Sequence, residues 1–166
     1  MHSEIGIDVA ARPATVFALA RDVERWSTLL PHYARSSAVE RRADGSVVVD
    51  FVAQRPFVPI LGLALPVTWR ARTWSETEPH GPRLRFVHVA GATKGMDVTW
   101  RLEPTDDGRG TRVTIEHAFA PAIPGFAAFV DRWFTRAIAG RTLATFRALA
   151  EAVETIESAA PPATNP

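Results

Sequence analysis

Residues 123 to 156 decide the fold, and they read IPGFAAFVDRWFTRAIAGRTLATFRALAEAVETI. The spacing of their apolar residues predicts one long helix whose apolar surface is wide in the first half and narrows to a stripe in the second. The chain before this helix alternates in the manner of β-strands. Because one helix on a strongly curved sheet cannot fill all the space beneath it, this order of elements predicts a cavity as well as a core.

The two halves of this helix are expected to have different roles. We expect the half from Phe126 to Ile138 to form the cavity wall and the half from Leu143 to Ile156 to be plain core. Gly140 lies between them, where glycine costs a helix about 1 kcal/mol relative to alanine. It either leaves space beneath the helix or permits close packing against a Trp or Phe of the sheet.

Composition excludes several classes of function. The chain has 166 residues, 46% of them hydrophobic and 22% charged, which suits a single domain, predicted here over residues 1–157 with a disordered tail at 158–166. Nineteen basic and eighteen acidic residues are spread evenly, so no nucleic-acid partner is predicted. The chain has no cysteine, which excludes disulfides and thiolate chemistry and is compatible with a cytoplasmic location. The N-terminus lacks a signal-peptide pattern, and the apolar runs are too short for stable membrane insertion.

Alternating segments and turn residues predict seven strands. Two short helices, at 13–22 and 24–30, fall between the first strand and the second. The chain is therefore predicted to be α+β, with a seven-stranded curved antiparallel sheet wrapped around the long C-terminal helix. The predicted strands are residues 2–9, 33–42, 46–53, 66–77, 83–90, 96–103 and 111–119.

This order of elements resembles the helix-grip fold of the START-like (SRPBCC) superfamily over residues 2–157. The segment DVERWSTLLPHY, from Asp22 to Tyr33, is similar to the D-x-x-x-W-x-x-x-x-P signature of the polyketide cyclase/dehydrase branch. The segment from Gly95 to Pro104, followed by Gly110 to Val113, is similar to the sixth and seventh strands of that branch. The superfamily includes enzymes, lipid and quinone carriers and regulatory modules, so the resemblance implies a fold and leaves the chemistry open.

Trp26 and Tyr33 match positions that face the pocket in aromatase/cyclases of this branch. Together they offer an indole N–H and a phenolic O–H beside aromatic faces, which suits a flat polyphenolic ligand. Trp26 can equally anchor its helix to the core. Tyr33 is the only tyrosine of the chain and therefore a candidate acid or base. The residues predicted to line the pocket are Trp26, Tyr33, Phe51, Trp69, Phe86, Met96, Trp100, Phe126, Phe129, Val130 and Trp133.

The resemblance also implies a catalytic role for Arg72, because these cyclases carry an arginine in this strand that stabilises a developing enolate. Strand parity indicates the opposite. If Val67, Trp69 and Ala71 face inward, Arg72 faces water with Arg70, unless a bulge re-aims it.

His88 and His117 share strand parity with inward apolar residues and are candidates for proton exchange with a dicarbonyl or hydroxyketone ligand. Each can equally be a hydrogen-bonded core histidine. The five histidines show no metal-ligand spacing, so no metal site is predicted.

Residues 56–66, PFVPILGLALP, form an apolar connection whose three prolines are expected to prevent a regular ladder. Four interpretations stay open: a lid over the cavity, a homodimer contact, a patch that touches a membrane, or a loop packed against the last helix.

The sequence therefore predicts a protein that binds an apolar, aromatic or polyketide-like small molecule in an internal cavity. If it is an enzyme, it would direct cyclisation or dehydration with Tyr33, His88, His117 and Arg72 handling protons and oxyanions. The alternatives are a non-catalytic lipid or quinone carrier and a module that regulates a partner protein. Motifs for covalent catalysis, phosphates and dinucleotides do not occur, so no cofactor is predicted.

Overall fold

The computed structural model describes residues 1–58, 63–105 and 108–159. Its strands are β1 (His2–Val9), β2 (Tyr33–Arg41), β3 (Val47–Val58), β4 (Leu63–Glu78), β5 (Gly81–Gly91), β6 (Asp97–Pro104) and β7 (Thr111–Ala118). Its helices are α1 (Pro13–Arg21), α2 (Trp26–Leu29), α3 (Phe126–Val130) and α4 (Arg136–Ala159). A 3-10 turn (Val23–Arg25) precedes α2, and a π turn (Asp131–Thr135) joins α3 to α4.

The seven strands form one antiparallel sheet in the order β1-β7-β6-β5-β4-β3-β2. The first strand pairs with the last, in a register that sets His2 opposite Ala118 and Val9 opposite Thr111. Helix α4 packs across the concave side against β1, β3 and α1. The predicted α+β architecture, with its long C-terminal helix and short helices after β1, is confirmed.

The C-terminal helical segment differs from the single regular helix that was predicted. It starts at Phe126 after Gly125, whose φ of 78° ends the preceding turn, and it contains the π turn before α4. A π turn holds one extra residue, which rotates the following side chains by about 100°. The apolar residues before and after Asp131 therefore face different directions. Helix α4 reaches Ala159, beyond the predicted end of the domain at 157, and the rest of the predicted tail lies outside the described residues.

Strands β3 and β4 continue as a two-stranded ribbon beyond the sheet. β2 pairs with β3 only as far as Ala53, and β5 pairs with β4 only as far as Trp69. Pro56 nevertheless lies opposite Ala64, and Pro66 lies opposite Gln54. The expectation that prolines prevent a ladder here is wrong for these two positions, because a ribbon strand has one neighbour and needs no donor on its other side. Residues 59–62, which belong to the segment 56–66 for which four interpretations stay open, lie outside the described residues.

Gly91 ends β5 with a φ of 93°, and a Cβ atom there would lie 2.7 Å from the carbonyl oxygen of Thr68. Only glycine accommodates both constraints. The turn that follows brings Thr93 back toward β5. Gly140 is less constrained, since a Cβ atom would meet only Ile5 Cδ1 at 3.5 Å. It therefore packs over β1 rather than against a Trp or Phe.

Candidate ligand-binding site

A cavity of about 90 Å³ lies between the concave face of the sheet and the start of α4. Strands β2 to β7, helix α2 and the segment from Thr135 to Thr142 all contribute side chains to its wall. Of the residues predicted from the sequence, the following line it: Trp26, Tyr33, Phe51, Trp69, Phe86, His88, Met96, Trp100 and His117.

Trp26 is the centre of one wall. Its ring lies 5.4 to 5.7 Å from five other rings, those of Tyr33, Phe51, Phe86, Trp100 and Phe146. Its Nε1 donates a hydrogen bond of 3.0 Å to the carbonyl oxygen of Ala20, which holds α2 against α1. Trp26 is thus a core anchor whose ring also lines the cavity, and this end of the cavity is densely packed.

Tyr33 is a buried phenol in a small polar group around Thr142. Burial raises the pKa of Tyr33, and its hydrogen bond with Thr142 only partly opposes this shift. The Thr142 hydroxyl donates to the Ile138 carbonyl at 2.9 Å and also lies 2.9 Å from His32 Nε2. Burial and the charge of Arg141 lower the pKa of His32 to about 4, so its imidazole is neutral at neutral pH. Tyr33 is therefore a neutral hydrogen-bonding group rather than a phenolate.

His88 is held by two contacts. Its Nδ1 lies 2.7 Å from the Thr93 hydroxyl, and its ring stacks on Trp69 at 5.8 Å. Burial and the neighbouring His117 lower the pKa of His88 to about 3. The imidazole is neutral at neutral pH and is oriented before a ligand arrives.

His117 is only 7% exposed, and its surroundings differ from those of His88. Among the described residues, no group forms a hydrogen bond with its buried Nδ1. Burial is the main cause that lowers its pKa to about 4; Asp131 opposes the shift, whereas Arg136 and His2 add to it. His117 is thus a neutral imidazole on the cavity wall with an unused ring nitrogen.

Arg72 lies on the opposite face of the sheet from the cavity. Its Nε donates to Ser46 Oγ at 2.9 Å and a terminal nitrogen donates to Asp44 Oδ2 at 2.7 Å. Arg70 is likewise paired outside, with Asp50. The β4–β5 ladder contains a bulge, but its extra residue is Val89 of β5. The side chains of β4 therefore still alternate between the two faces of the sheet. The parity argument is confirmed, and the prediction of a catalytic role for Arg72 in this cavity is wrong.

The aromatic residues of α3 and of the π turn that were predicted to line the pocket also lie away from the cavity. Phe126, Phe129 and Trp133 stack in succession with ring separations of 6.3 and 6.2 Å, and Phe129 and Trp133 are 48% and 43% exposed. Val130 is buried in the core but does not line the cavity. The expectation that these four residues form the cavity wall is wrong, because the π turn rotates them away from the face that α4 presents. Ile138, Ala139 and Thr142 provide that wall instead.

Sequence reasoning missed the hydroxyl groups of the site. Thr93, Thr135 and Thr142 all line the cavity and are at least nine-tenths buried. Threonine suits both faces of a strand or helix, so its presence carries no inward signal. Only Thr142 could have been predicted to face inward, because it follows Ile138 by four residues and therefore lies on the same helical face.

The mouth of the cavity is marked by lining residues that remain half-buried. These are Val67, Trp69, His88 and Ile138. They belong to the start of the ribbon, the end of β5 and the first turn of α4.

Metal and membrane features are lacking in the described part of the chain. Within residues 1–58, 63–105 and 108–159, no three His, Asp or Glu side chains come together as a metal site would require. Over the same residues, no helix combines the length and the apolar character needed to cross a membrane.

Solved structures with this architecture come from several bacteria. Zhui aromatase/cyclase from Streptomyces sp. R1128 shares 19% identity at a TM-score of 0.69, covering 91% of this chain and 93% of its own. A STAR-related lipid transfer protein from Xanthomonas axonopodis shares 18% at 0.64, covering 89% and 84%. A START superfamily protein from Mycobacterium smegmatis shares 16% at 0.62, covering 94% and 98%. At these identities the likeness shows the fold alone.

Sequence comparison is more specific. No curated protein matches the chain. The model of a family described as polyketide cyclase/dehydrase and lipid transport matches residues 2–154, nearly the whole chain. The fold, the apolar cavity and this match agree, and the chain belongs to the polyketide cyclase/dehydrase and lipid transport family.

Proposed function

We propose that this protein binds an aromatic, polyketide-like small molecule in the cavity and catalyses its cyclisation or dehydration. One observation carries the proposal: an aromatic cluster centred on Trp26 and two neutral imidazoles, His88 and His117, line the same cavity. The aromatic wall suits a flat apolar ligand. The imidazoles are placed to exchange protons with it.

The size of the cavity limits the ligand in the form described. Drug-sized ligands occupy pockets of roughly 300 to 1,000 Å³, and an engineered cavity of about 150 Å³ holds benzene. At about 90 Å³, even one aromatic ring requires some widening. A multi-ring polyketide therefore requires the mouth at Val67, Trp69 and Ile138 to open, and we expect such ligands to associate slowly.

The proposed dehydration needs no cofactor. A neutral imidazole accepts a proton from the carbon between two carbonyl groups, and the electron pair of that C–H bond forms a C=C bond as the neighbouring C–O bond breaks. The proton is returned to the departing hydroxyl, which leaves as water. Because burial makes both imidazoles weak bases, the corresponding imidazolium is a strong acid that gives up its proton readily. The Tyr33 phenol supplies a hydrogen bond to a carbonyl oxygen of the ligand.

A non-catalytic lipid carrier is the second candidate. The family description includes lipid transport, and most of the cavity wall is apolar. A carrier has no use for two imidazoles in its cavity, however, since burying polar groups disfavours an alkyl chain. The roles of residues 56–66 as a lid, homodimer contact or membrane contact stay predictions.

A cavity-filling variant tests the proposal. Ala139 lines the cavity, whereas Ala144 is exposed on the same helix, so Ala139→Leu removes ligand space and Ala144→Leu is the matched control. We expect phenol, 1-naphthol and a three-ring phenol to raise the melting temperature of the wild type and of Ala144→Leu, and to lose this effect in Ala139→Leu. Stabilisation by palmitate or a polyprenyl quinone in place of the phenols would favour the carrier. No stabilisation by either class would contradict both functions.

A further inference from the structure

An exposed aromatic ridge lies outside the cavity, on α3 and the π turn. It consists of Phe126, Phe129 and Trp133. The ring of Phe126 packs on the buried Phe119 at 6.3 Å, and the next two rings stack on it in succession. The outer two rings, those of Phe129 and Trp133, are each nearly half exposed. The ridge is therefore an apolar surface that is anchored in the core and reaches solvent.

The ridge adjoins the mouth of the cavity. The guanidinium of Arg55, which belongs to the ribbon, lies 4.9 Å from the centre of the Trp133 ring. Arg55 is paired with Leu65 across the ribbon, so their side chains share one face, and Leu65 is exposed. Leu65 lies two residues from Val67, which lines the mouth. Exposed apolar groups of the ribbon and of the helical segment thus lie beside the entrance.

Acidic residues are scarce in the two segments that build this surface. Residues 51–75 contain no Asp or Glu, and residues 117–150 contain one, Asp131. The whole chain has a net charge of only +1, so its overall charge gives little attraction to an anionic surface. Any strong attraction must come from a local excess of basic groups.

The ridge has such an excess. Arg55 lies over Trp133, and Arg132 is exposed on the π turn. Arg136 follows at the start of α4, where it pairs with Asp131. Three arginines and one carboxylate therefore surround the exposed rings. The surface is apolar at its centre and positively charged around it, which complements an anionic partner.

The size and composition of this surface favour a lipid bilayer over another protein. Two half-exposed aromatic rings offer roughly 200 Å² of apolar surface. A stable protein interface buries about 800 Å² on each partner. A bilayer requires less, because a few inserted aromatic rings act together with the attraction of arginines to anionic lipids. Tryptophan beside arginine is also typical of the membrane–water interface.

We propose that the aromatic ridge docks this protein on the surface of an anionic lipid bilayer. Phe129 and Trp133 insert between the lipid headgroups. Arg55, Arg132 and Arg136 lie against the lipid phosphates. The mouth of the cavity then lies beside the membrane, in which apolar ligands concentrate. The docking is peripheral, and it does not rest on the proposed function.

Vesicle flotation with the wild-type protein tests the docking. We expect the protein to float with vesicles of phosphatidylcholine that contain about 30% phosphatidylglycerol, and to bind pure phosphatidylcholine at least about tenfold more weakly. High salt should release it, because salt screens the charges of the arginines and of the lipids. Failure to bind either kind of vesicle, or equal binding to both, would overturn the proposal.

Matched variants locate the contact on the molecule. Phe129→Ala should weaken binding at least about tenfold, whereas Ile156→Ala, which removes a more exposed apolar side chain at the far end of α4, should not. Arg132→Gln should weaken binding about fivefold. Arg147→Gln, which changes the net charge equally but lies on a later turn of α4, should have much less effect. If the members of either pair behave alike, the proposal is wrong.

Brominated lipids test the same contact without a variant that might lose its fold. Trp133 is the most exposed of the five tryptophans. We expect lipids that carry bromine on the acyl chains to quench part of the fluorescence of the vesicle-bound wild type. Trp133→Phe keeps an aromatic ring, so it should still bind but lose most of this quenching. Bound wild-type protein that is not quenched would contradict the insertion of the ridge.

A second copy of the chain is the competing occupant of the ridge. We expect Phe129→Ala to leave the oligomeric state unchanged in analytical ultracentrifugation. A dimer that this variant dissociates would assign the ridge to self-association and overturn the proposal. Phe129 does not line the cavity, so Phe129→Ala should keep its stabilisation by 1-naphthol. Loss of membrane docking is thereby distinguished from failure of the proposed function.

Discussion

The two ends of the cavity differ in their packing and in how fully their polar atoms are hydrogen-bonded. At the Trp26 end, five aromatic rings surround one indole, and its N–H is bonded to Ala20. At the His117 end, a buried imidazole nitrogen has no hydrogen-bond partner among the described residues. Stability is therefore concentrated at the packed end, and unused hydrogen-bonding capacity at the polar end. Such a division is typical of sites in which a rigid core supports a few reactive groups.

The largest predicted effect is a loss of stability at acid pH, which is caused by the buried histidines. His32, His88 and His117 have folded-state pKa values of about 4, 3 and 4, below the ordinary 6.5. Between about pH 6.5 and pH 4, the unfolded chain binds protons that the folded chain does not, so the free energy of unfolding falls as the pH falls. The slope is about 1.4 kcal/mol per pH unit for each histidine. Urea titrations at pH 7, 6 and 5 measure it.

Replacing one histidine at a time assigns this acid sensitivity. His117→Leu and His88→Leu should each flatten the slope by about a third. A slope that is the same in wild type and variants would mean that carboxylates, not the buried imidazoles, dominate the response in this range.

Trp26→Ala should be the most damaging single substitution at the packed end. It removes one indole from contact with five rings and leaves the Ala20 carbonyl without its donor, and Trp→Ala changes in cores cost about 3 to 5 kcal/mol. Denaturant unfolding of Trp26→Ala measures the loss, with Trp26→Phe as the smaller control. A loss below about 1 kcal/mol would show that the packed end is not the main source of stability.

The two cavity histidines should respond differently when each is replaced by leucine. His88→Leu leaves the buried Thr93 hydroxyl unpaired and should cost about 1 to 3 kcal/mol. His117→Leu breaks no direct bond to another described residue and should stay within about 1 kcal/mol of the wild type at pH 7. Chemical denaturation of both variants checks this, and equal costs would erase the distinction between a satisfied imidazole and an unsatisfied one.

Gly140→Ala should have the smallest effect, and in the stabilising direction. Its methyl group would make an ordinary contact with Ile5 Cδ1, and alanine favours a helix over glycine by about 0.5 to 1 kcal/mol. Ligand affinity should not change, because Gly140 does not line the cavity. Thermal unfolding with and without 1-naphthol tests both points, and weaker binding would place Gly140 in the site after all.

Most of the sheet was predictable because strand parity has a strict period of two. The alternation from Met96 to Leu102 correctly placed Trp100 inside, and the parity of Trp69 correctly placed Arg72 outside. The helical segment was harder, because a π turn has no sequence signature and a single extra residue turned Phe129 and Trp133 outward.

The small volume of the cavity was the other feature that sequence periodicity could not predict. A sequence indicates which side chains face inward, but the volume between them depends on how closely they pack. Trp26 was expected to act either as a core anchor or as a pocket wall, and the structure places it in both positions.

Native mass spectrometry of the protein purified from its own host tests the central claim most directly. If the cavity serves an aromatic, polyketide-like ligand, the intact protein should carry one such molecule, which can be released by denaturation and identified by its mass and ultraviolet absorbance. A bound fatty acid or polyprenyl quinone in its place would contradict the claim.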